Sequence, residues 1–273
     1  MARALKLVTV AVVAAAAGCG SSHSPSASSS GDEPPPNQGM DGGINEGPDG
    51  GMPQVEGGSD AGAGAESSAP SRFITGVVQF SPTDCTGFGA ASLPGIVEGP
   101  PVGGGSDHGS LDVVSLGSGG SIEVTFAPNA IVDGPGPDFI VFENPFWIAG
   151  NSNDPYAEPG EVSVSDDGKT WVPFLCNPTF DPGASDGTGT APPYGACGGW
   201  GVVYSTPQNG ISPFDPSKAG GNAYDLATIG VKHARFVKIV DRTDEVCPDA
   251  GAQKPNTNGF DLDAIAILNA ELP

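Results

Sequence analysis

Apolar residues are distributed in three different ways along this chain. Positions 7–17 form a continuous run of aliphatic residues with a single threonine. Positions 20–71 consist mainly of Gly, Ser, Pro, Ala and acidic residues, with Ile44 and Val55 as the only β-branched aliphatic side chains. From position 72 onwards, short apolar runs alternate with clusters of Gly, Pro, Asn and Asp. We therefore expect a leader, then a segment that cannot form a core, then a folded domain.

Candidate strands in the folded part are short and rich in β-branched and aromatic residues, with turn residues between them. They cover 73–80, 121–126, 138–143, 161–165, 201–204, 235–240 and 260–268. Residues 121–126 alternate strictly between polar and apolar, as expected for a strand with one buried face. No stretch has a helical period, although 224–229 fits a single turn. The pattern predicts an all-β antiparallel sandwich over residues 72–273, long enough to bury a core between two sheets.

Residues 1–18 have the organisation of a secretory signal peptide, in which two basic residues precede an apolar run too short to span a bilayer. Ala16-Ala17-Gly18-Cys19 resembles the lipobox of bacterial lipoproteins, although the usual Leu is missing three residues before the cysteine. The resemblance implies lipidation of Cys19 and a membrane anchor made of acyl chains. Gly20, in place of an Asp, favours the outer membrane and the cell surface. Residues 19–71 are then expected to be a disordered acidic tether. Cleavage nearby without lipidation is the alternative.

The charge balance is strongly acidic, with 32 Asp and Glu residues against 10 Lys and Arg residues and a formal net charge of −22. Loss of Arg3 and Lys6 with the leader makes the mature chain more negative still. Such a surface repels polyanions, which argues against nucleic acid as a partner, and it attracts divalent cations.

Four cysteines follow Cys19, namely Cys85, Cys176, Cys197 and Cys247. None lies in a C-x-x-C pair, which argues against a zinc ribbon or a thiol redox motif. An even number of cysteines in an exported domain favours two disulfides, for which three connectivities are possible. Cys176 and Cys197 flank a single Gly-, Pro- and Asp-rich excursion and are the predicted pair, which leaves Cys85 for Cys247.

Two segments resemble the discoidin-type, galactose-binding-like jelly roll. Residues 161–171 (EVSVSDDGKTW) are similar to a strand–turn–strand of that family, with Asp167-Gly168 in the turn and Trp171 expected to anchor the core. Residues 234–240 (ARFVKIV) are similar to a later strand of the same family. Three further segments, 116–122, 134–144 and 259–265, resemble a family of bacterial cell-surface proteins of uncharacterised activity. The resemblance implies an extracellular jelly roll and no particular activity.

Asp261 and Asp263 stand two residues apart at the start of the last candidate strand, so the period of a strand places both carboxylates on one face. Because that face continues as Ile265 and Ile267, two like charges meet beside a buried stripe unless a cation or hydrogen-bond donors separate them. Oxygen ligands from several loops suit Ca²⁺, and we predict a structural calcium ion. Its candidate ligands are Asp138, Glu143, Asn144, Asp225, Asp261 and Asp263. The alternative is that these acids cap turns by accepting hydrogen bonds from loop N–H groups.

Residues 144–156 join aromatic side chains to asparagines and an aspartate, a combination that suits stacking on a sugar and hydrogen bonding to its hydroxyls. The candidate ligand-binding residues are Trp147, Tyr156 and Trp200, and burial against the core is the alternative for such aromatic residues. No nucleophile–base pair is evident. We therefore expect a non-enzymatic, lipid-anchored binding or adhesion module for a glycan, a cell-envelope polymer or a surface protein. A purely structural coat component is the second hypothesis, and a glycan hydrolase that uses Glu143 or Asp138 is the third.

Overall fold

Antiparallel strands make up most of the regular structure, as the short apolar runs predict. The structure, a computed structural model, describes residues 71–83, 86–152, 155–179, 194–243 and 259–271. The predictions for the leader, Cys19, the tether and a Cys85–Cys247 pair concern positions outside these ranges. The strands are β1 (Gly76–Ser81), β2 (Val114–Ser115), β3 (Ser121–Thr125), β4 (Ala130–Val132), β5 (Phe139–Phe142), β6 (Phe146–Trp147), β7 (Pro155–Tyr156), β8 (Gly160–Ser165), β9 (Val172–Pro173), β10 (Asn222–Tyr224), β11 (His233–Ala234), β12 (Phe236–Asp241), β13 (Asp261–Leu262), β14 (Ala264–Ile267) and β15 (Ala270–Glu271).

Helical structure in the described ranges is limited to 3-10 turns of three or four residues. They lie at Ala90–Ser92, Gly95–Val97, Ile148–Gly150 and Leu226–Ile229. The last of these confirms the single turn predicted at 224–229. In the same part of the chain, no helix has the length and the apolar character needed to cross a bilayer.

The larger sheet contains five antiparallel strands in the order β1-β3-β12-β8-β9. Its inner face is apolar because the alternation of β3, β8 and β12 buries Ile122, Val124, Val162, Val164, Val237 and Ile239. On the outer face, Lys238 Nζ lies 2.7 Å from Glu123 Oε1 and 4.4 Å from the centroid of the Trp171 ring. Trp171 is therefore half-buried beneath a lysine, and the prediction that it anchors the core is wrong. Phe174, three residues later, enters the core in its place.

The second sheet, β10-β5-β14, faces the first across the main core. Phe139, Val141, Ile265 and Ile267 pack into that core together with the inner face of the five-stranded sheet. The opposite face is covered as well, since Ile140, Phe142, Ala264 and Ala266 form a second apolar cluster with Val203 and Ala219. Every position of β5 and β14 is consequently buried, which explains why both appear in the sequence as continuous apolar runs. Two sheets around one core make the fold an all-β antiparallel sandwich, as predicted.

Two predicted strands differ in the structure. Residues 201–204 form no strand, and Val203 makes only an isolated bridge to Gly220. Residues 260–268 are divided at Asp263 into β13, which pairs with β2, and β14, which pairs with β5. Smaller sheets, β11-β4-β15 and β6-β7, complete the fold. Strands of two or three residues show no period in the sequence, so pattern analysis does not detect them.

The β8–β9 hairpin confirms the turn predicted at Asp167-Gly168. Gly168 has a φ of 68°, in the left-handed region that favours glycine. Asp167 Oδ1 accepts hydrogen bonds from Thr170 N at 2.7 Å and from Lys169 N at 2.8 Å. These two bonds are the main reason that the pKa of Asp167 is held well below its usual range. The turn thus brings Val164 opposite Val172, and Phe174, two residues after Val172, packs in the core.

Cys176 and Cys197 form the predicted disulfide, with 4.5 Å between their Cα atoms. The bond closes a segment of the chain whose ends also meet through an isolated bridge between Cys176 and Gly195. It fixes the start of the 197–201 segment, which borders the candidate site.

Candidate metal centre

Carboxylates gather at two places among the described residues. In each group, one oxygen from each of three acids lies within 4.8 Å of the other two. The first group is Asp133, Asp138 and Asp225; the second, named here the Glu143 centre, is Glu143, Glu158 and Asp261. The predicted ligands are thus divided, with Asp138 and Asp225 in one group and Glu143 and Asp261 in the other. Either group has the spacing of a metal site, and hydrogen bonding distinguishes them.

Asp138 is fully buried, and both of its oxygens are supplied with donors. Oδ1 accepts hydrogen bonds from Gly134 N and from Asn269 Nδ2, both at 2.8 Å, and Oδ2 accepts one from Leu226 N at 2.7 Å. A buried carboxylate with this many donors is stabilised by the protein itself.

The other two acids of this group also have protein partners. Asp225 Oδ1 accepts a hydrogen bond from Ala227 N at 2.8 Å and caps the turn that follows. Lys232 Nζ donates to Asp133 Oδ2, and this bond and the charge of Asp133 are the largest causes that raise the pKa of Lys232. The contacts of the first group are therefore those of turn caps and a surface ion pair.

Three separate segments bring the Glu143 centre together. Glu143 directly follows β5, Glu158 precedes β8, and Asp261 opens β13. Asp261 lies opposite Ser115 in the β13–β2 pair, and Ser115 Oγ donates to Asp261 Oδ1. The centre consequently lies where strands of different sheets end beside one another.

Glu158 is held in place by its neighbours in a close-packed loop. Gly160 and Gly198 exchange two backbone hydrogen bonds, of 3.1 and 2.9 Å. Gly199 then passes directly against Glu158: its φ is +88°, and a Cβ at this position would lie 2.2 Å from the Glu158 carbonyl oxygen. Only glycine fits this approach. Sequence analysis missed Glu158 because a single Glu before Pro159-Gly160 looks like an ordinary turn residue.

The three acids of the centre are buried, with exposed fractions of 2% for Glu143 and 5% each for Glu158 and Asp261. Glu143 Oε1 accepts a hydrogen bond from Asp261 N at 3.0 Å. Glu143 Oε2 has no hydrogen-bond partner among the described residues. Nor does Glu143 form an ion pair with any lysine, arginine or histidine of that part of the chain. One oxygen of a buried carboxylate is thus left without a donor.

Asp241 shows how this fold satisfies an isolated buried carboxylate. Its Oδ1 accepts a hydrogen bond from Gly119 N at 3.0 Å and its Oδ2 accepts one from Phe260 N at 2.6 Å. Glu143 Oε2 has no comparable donor, although an unsatisfied buried oxygen costs free energy. Burial first, and then the negative charges of Glu158 and Asp261, raise the pKa of Glu143 well above its ordinary value. A proton or a cation is needed to neutralise the centre.

The ligand set of the Glu143 centre consists only of oxygens, which hard cations prefer. Ca²⁺ takes six to eight oxygens at about 2.3–2.6 Å, so two ligands of one ion are at most about 5 Å apart. The 4.8 Å within which the three carboxylate oxygens lie agrees with that spacing. Structural zinc sites are built mainly from Cys and His ligands, and this group contains neither. The buried acids can therefore hold a metal ion.

Two further predicted ligands lie outside both groups. Asn144 Nδ2 donates to Asp261 Oδ2 at 3.3 Å while its Oδ1 accepts from Ser110 N, so Asn144 positions Asp261. The oxygens of Asp263 accept from Val102 N at 2.9 and 3.2 Å, and burial raises the pKa of Asp263 to about 8. Asp261 and Asp263 thus have different surroundings, because the chain passes from one sheet to another between them.

The predicted ligand-binding aromatic residues lie in two different places. Trp147 and Tyr156 belong to the β6–β7 hairpin, where the ring of Tyr156 is stacked on that of Phe146 with 5.2 Å between centroids. Trp200 instead lines a cavity of 240 Å³ beside β10. In the part of the chain that the structure describes, these three side chains are thus divided between the hairpin and the cavity.

Comparisons of this chain with protein families, with curated proteins and with solved structures find no match. The lipoprotein and discoidin-type resemblances stay predictions from sequence motifs, and function has to be inferred from the site.

Proposed function

We propose that this chain is an exported, non-enzymatic binding or adhesion module of the bacterial cell surface, whose sandwich is stabilised by Ca²⁺ at the Glu143 centre. The observation that carries the calcium assignment is Glu143 Oε2, a buried carboxylate oxygen without a hydrogen-bond partner among the described residues. One carboxylate oxygen of Glu143, one of Glu158 and one of Asp261 lie within 4.8 Å of one another. A divalent cation supplies the missing partner and cancels the repulsion among the three acids.

Several properties favour calcium over other cations. The ligands are carboxylates from three irregular segments, and Ca²⁺ accepts irregular oxygen geometries that Mg²⁺ does not. The chain carries a formal net charge of −22, which concentrates divalent cations near its surface. Calcium modules outside the cell have dissociation constants of roughly 10⁻⁴–10⁻³ M, which matches a site with few protein ligands. We assign the ion a structural role because it joins β5, β13 and the segment before β8.

Export and lipid anchoring at the outer membrane are supported by the N-terminal motif and by the Cys176–Cys197 disulfide, since disulfides persist in oxidising compartments. Intact-mass measurement of the protein isolated from membranes should show an acylated Cys19. Cys19→Ala should release the protein from the membrane fraction or block its processing. A mature chain that begins at another residue, without an acyl group, would contradict the anchor.

A binding role, with a glycan or a cell-envelope polymer as the ligand, is supported by aromatic residues next to hydrogen-bonding groups on the sandwich. Tyr156 is 40% exposed on the β6–β7 hairpin, and Trp200 lines a cavity. A glycan array probed with the purified chain, once in millimolar calcium and once in chelator, tests this role. Binding of no glycan in either condition would contradict it.

The calcium assignment is tested by thermal unfolding of the purified chain. The Tm should rise with millimolar Ca²⁺ and fall with chelator, because an ion that binds only the folded state stabilises it. Metal analysis of protein dialysed against millimolar calcium should find calcium in excess over the dialysis buffer. Equal Tm values in both conditions, together with no bound metal, would show that the Glu143 centre is neutralised by a proton.

A further inference from the structure

An irregular segment, residues 106–110, contacts both the surroundings of the Glu143 centre and the β6–β7 hairpin. It contains no helix or strand, and none of its residues is buried. The chain just before it is better fixed, since Val102 N donates to the carboxylate of Asp263 at 2.9 Å. A segment with so little buried surface is held by individual hydrogen bonds and opens at a low free energy. The order of residues 106–110 therefore depends on the groups that bind them.

Asn144 binds this segment on the side of the centre. Its Oδ1 accepts a hydrogen bond from Ser110 N, and its Nδ2 donates to Asp261 Oδ2 at 3.3 Å. Gly109 packs so closely against the amide that a Cβ at this position would lie 2.6 Å from Asn144 Oδ1. Asn144 also follows Glu143 directly in the chain. The amide thus lies between two acids of the centre and the end of the segment.

Trp147 binds the other end of the segment from the hairpin. Its backbone N donates a hydrogen bond to the Ser106 carbonyl oxygen at 2.9 Å. Trp147 belongs to β6, which begins two residues after Asn144 and pairs with β7. The neighbouring pair in this hairpin carries the stacked rings of Phe146 and Tyr156, and Tyr156 is 40% exposed. The hairpin is consequently joined to the centre by the chain at Asn144 and by the 106–110 segment.

A bound ion changes the forces that act on Asn144. Without a cation, the ionised carboxylates of Glu143, Glu158 and Asp261 repel one another, and the repulsion is relieved when a proton binds or when the acids move apart. A displacement of Glu143 or Asp261 moves Asn144, because it is the chain neighbour of the first and the hydrogen-bond donor to the second. An ion that binds both acids favours the arrangement in which Asn144 reaches Ser110.

We propose that calcium at the Glu143 centre fixes the 106–110 segment and the β6–β7 hairpin through Asn144, so that the exposed aromatic face of the hairpin has one conformation only in the calcium-bound protein. The inference rests on the proposed function and adds to it the regulation of a binding surface by calcium. Asn144 is a positioning residue in this arrangement. Since coupling between two binding sites is reciprocal, a ligand that binds the ordered hairpin should also tighten the binding of calcium.

Hydrogen exchange of the full purified chain, in about 10 mM calcium and in chelator, tests the coupling. The amides of Ser110 and Trp147 should exchange up to about a hundredfold more slowly with calcium, the factor 1 + [Ca²⁺]/Kd at a hundredfold excess over Kd. The reference amides are Lys169 and Thr170, which donate to Asp167 within the β8–β9 turn and should be unchanged. Equal rates at Ser110 and Trp147 in both conditions, or equal slowing of the reference amides, would overturn the proposal.

Asn144→Ala removes both amide contacts and keeps the three carboxylates of the centre. Calcium should still raise the Tm of this variant but should no longer slow exchange at Trp147. Asn177→Ala is the matched control, because Asn177 is exposed and its Oδ1 accepts from Thr179 N within its own turn; it should keep both responses. Slowed exchange at Trp147 in Asn144→Ala would overturn the route through the amide. Loss of the Tm response in Asn144→Ala would make Asn144 part of the ion site, which also overturns it.

The failure of this inference is distinguishable from failure of the calcium assignment. A calcium-dependent Tm together with unchanged exchange at Ser110 and Trp147 leaves the ion in place and refutes only the coupling. No calcium response in either measurement refutes both. The glycan array tests the binding role separately, because neither the Tm nor the exchange rates require a sugar.

Discussion

Replacing Glu143 by Gln keeps the shape of the side chain and removes one negative charge from the Glu143 centre. Without calcium, the change removes repulsion from Glu158 and Asp261, and the new amide can donate to either carboxylate. We therefore expect calcium-free Glu143→Gln to be at least as stable as the unsubstituted protein. With calcium present, the variant lacks a charged ligand, so the ion should no longer stabilise it.

The magnitude follows from linkage between binding and folding. An ion that binds only the folded state stabilises it by RT ln(1 + [Ca²⁺]/Kd), about 2.7 kcal/mol at a hundredfold excess over Kd. For a Kd of about 10⁻⁴ M this excess is reached at about 10 mM calcium. A domain of about 200 residues shifts its Tm by roughly 2–4 °C for each kcal/mol. Calcium should thus raise the Tm by about 5–11 °C in the unsubstituted protein and by less than about 2 °C in Glu143→Gln.

Scanning calorimetry of both proteins, in about 10 mM calcium and in chelator, measures these shifts. The calcium concentration is about a hundredfold above a Kd of about 10⁻⁴ M. Asp263→Asn is the matched control, because Asp263 is also a buried acid of the same chain segment but lies outside the centre. Its calcium shift should equal that of the unsubstituted protein. A full calcium shift in Glu143→Gln, or its loss in Asp263→Asn, would refute the assignment of the ion to the Glu143 centre.

Three other predictions concern pH, the disulfide and the core. Burial raises the folded-state pKa values of Glu143 and Asp263 above their ordinary values of 4.5 and 3.8, that of Asp263 to about 8. The calcium-free protein should therefore lose stability as pH rises through these folded-state pKa values. Stabilisation by calcium should grow over the same interval, because the ion replaces the proton of Glu143, and unfolding curves from pH 4 to pH 9 measure both trends. Replacing Cys176 and Cys197 together by Ser should lower the free energy of unfolding by about 3 kcal/mol, the value that the chain-entropy relation gives for two cysteines 21 residues apart. Non-reducing peptide mapping of the unsubstituted protein checks that the bond is present. Phe174→Ala should cost about 3–5 kcal/mol by denaturant unfolding. Trp171→Ala should cost clearly less, since its half-buried ring lies under Lys238, and equal losses would contradict the placement of Phe174 in the core.

The sequence by itself determined the fold class and the longer strands. Residues 121–126 alternate because one face of β3 packs on the core, and residues 139–142 are continuously apolar because both faces of β5 are covered. The turn at Gly168 and the Cys176–Cys197 pair were also predictable, since each depends on residues close in the chain. Local periodicity and turn chemistry are properties of short segments, which is why they can be interpreted without the rest of the molecule.

Only the tertiary structure decided which acids form the centre. Glu158 joins Glu143 and Asp261 because the Gly160–Gly198 bridge and the β13–β2 pair bring three distant segments to one point. Asp263 is left outside because the chain changes sheets at that residue, which no period of the strand reveals. Side-chain grouping across sheets depends on long-range pairing and on glycine contacts at single positions, and these arise when the layers pack rather than in any local pattern.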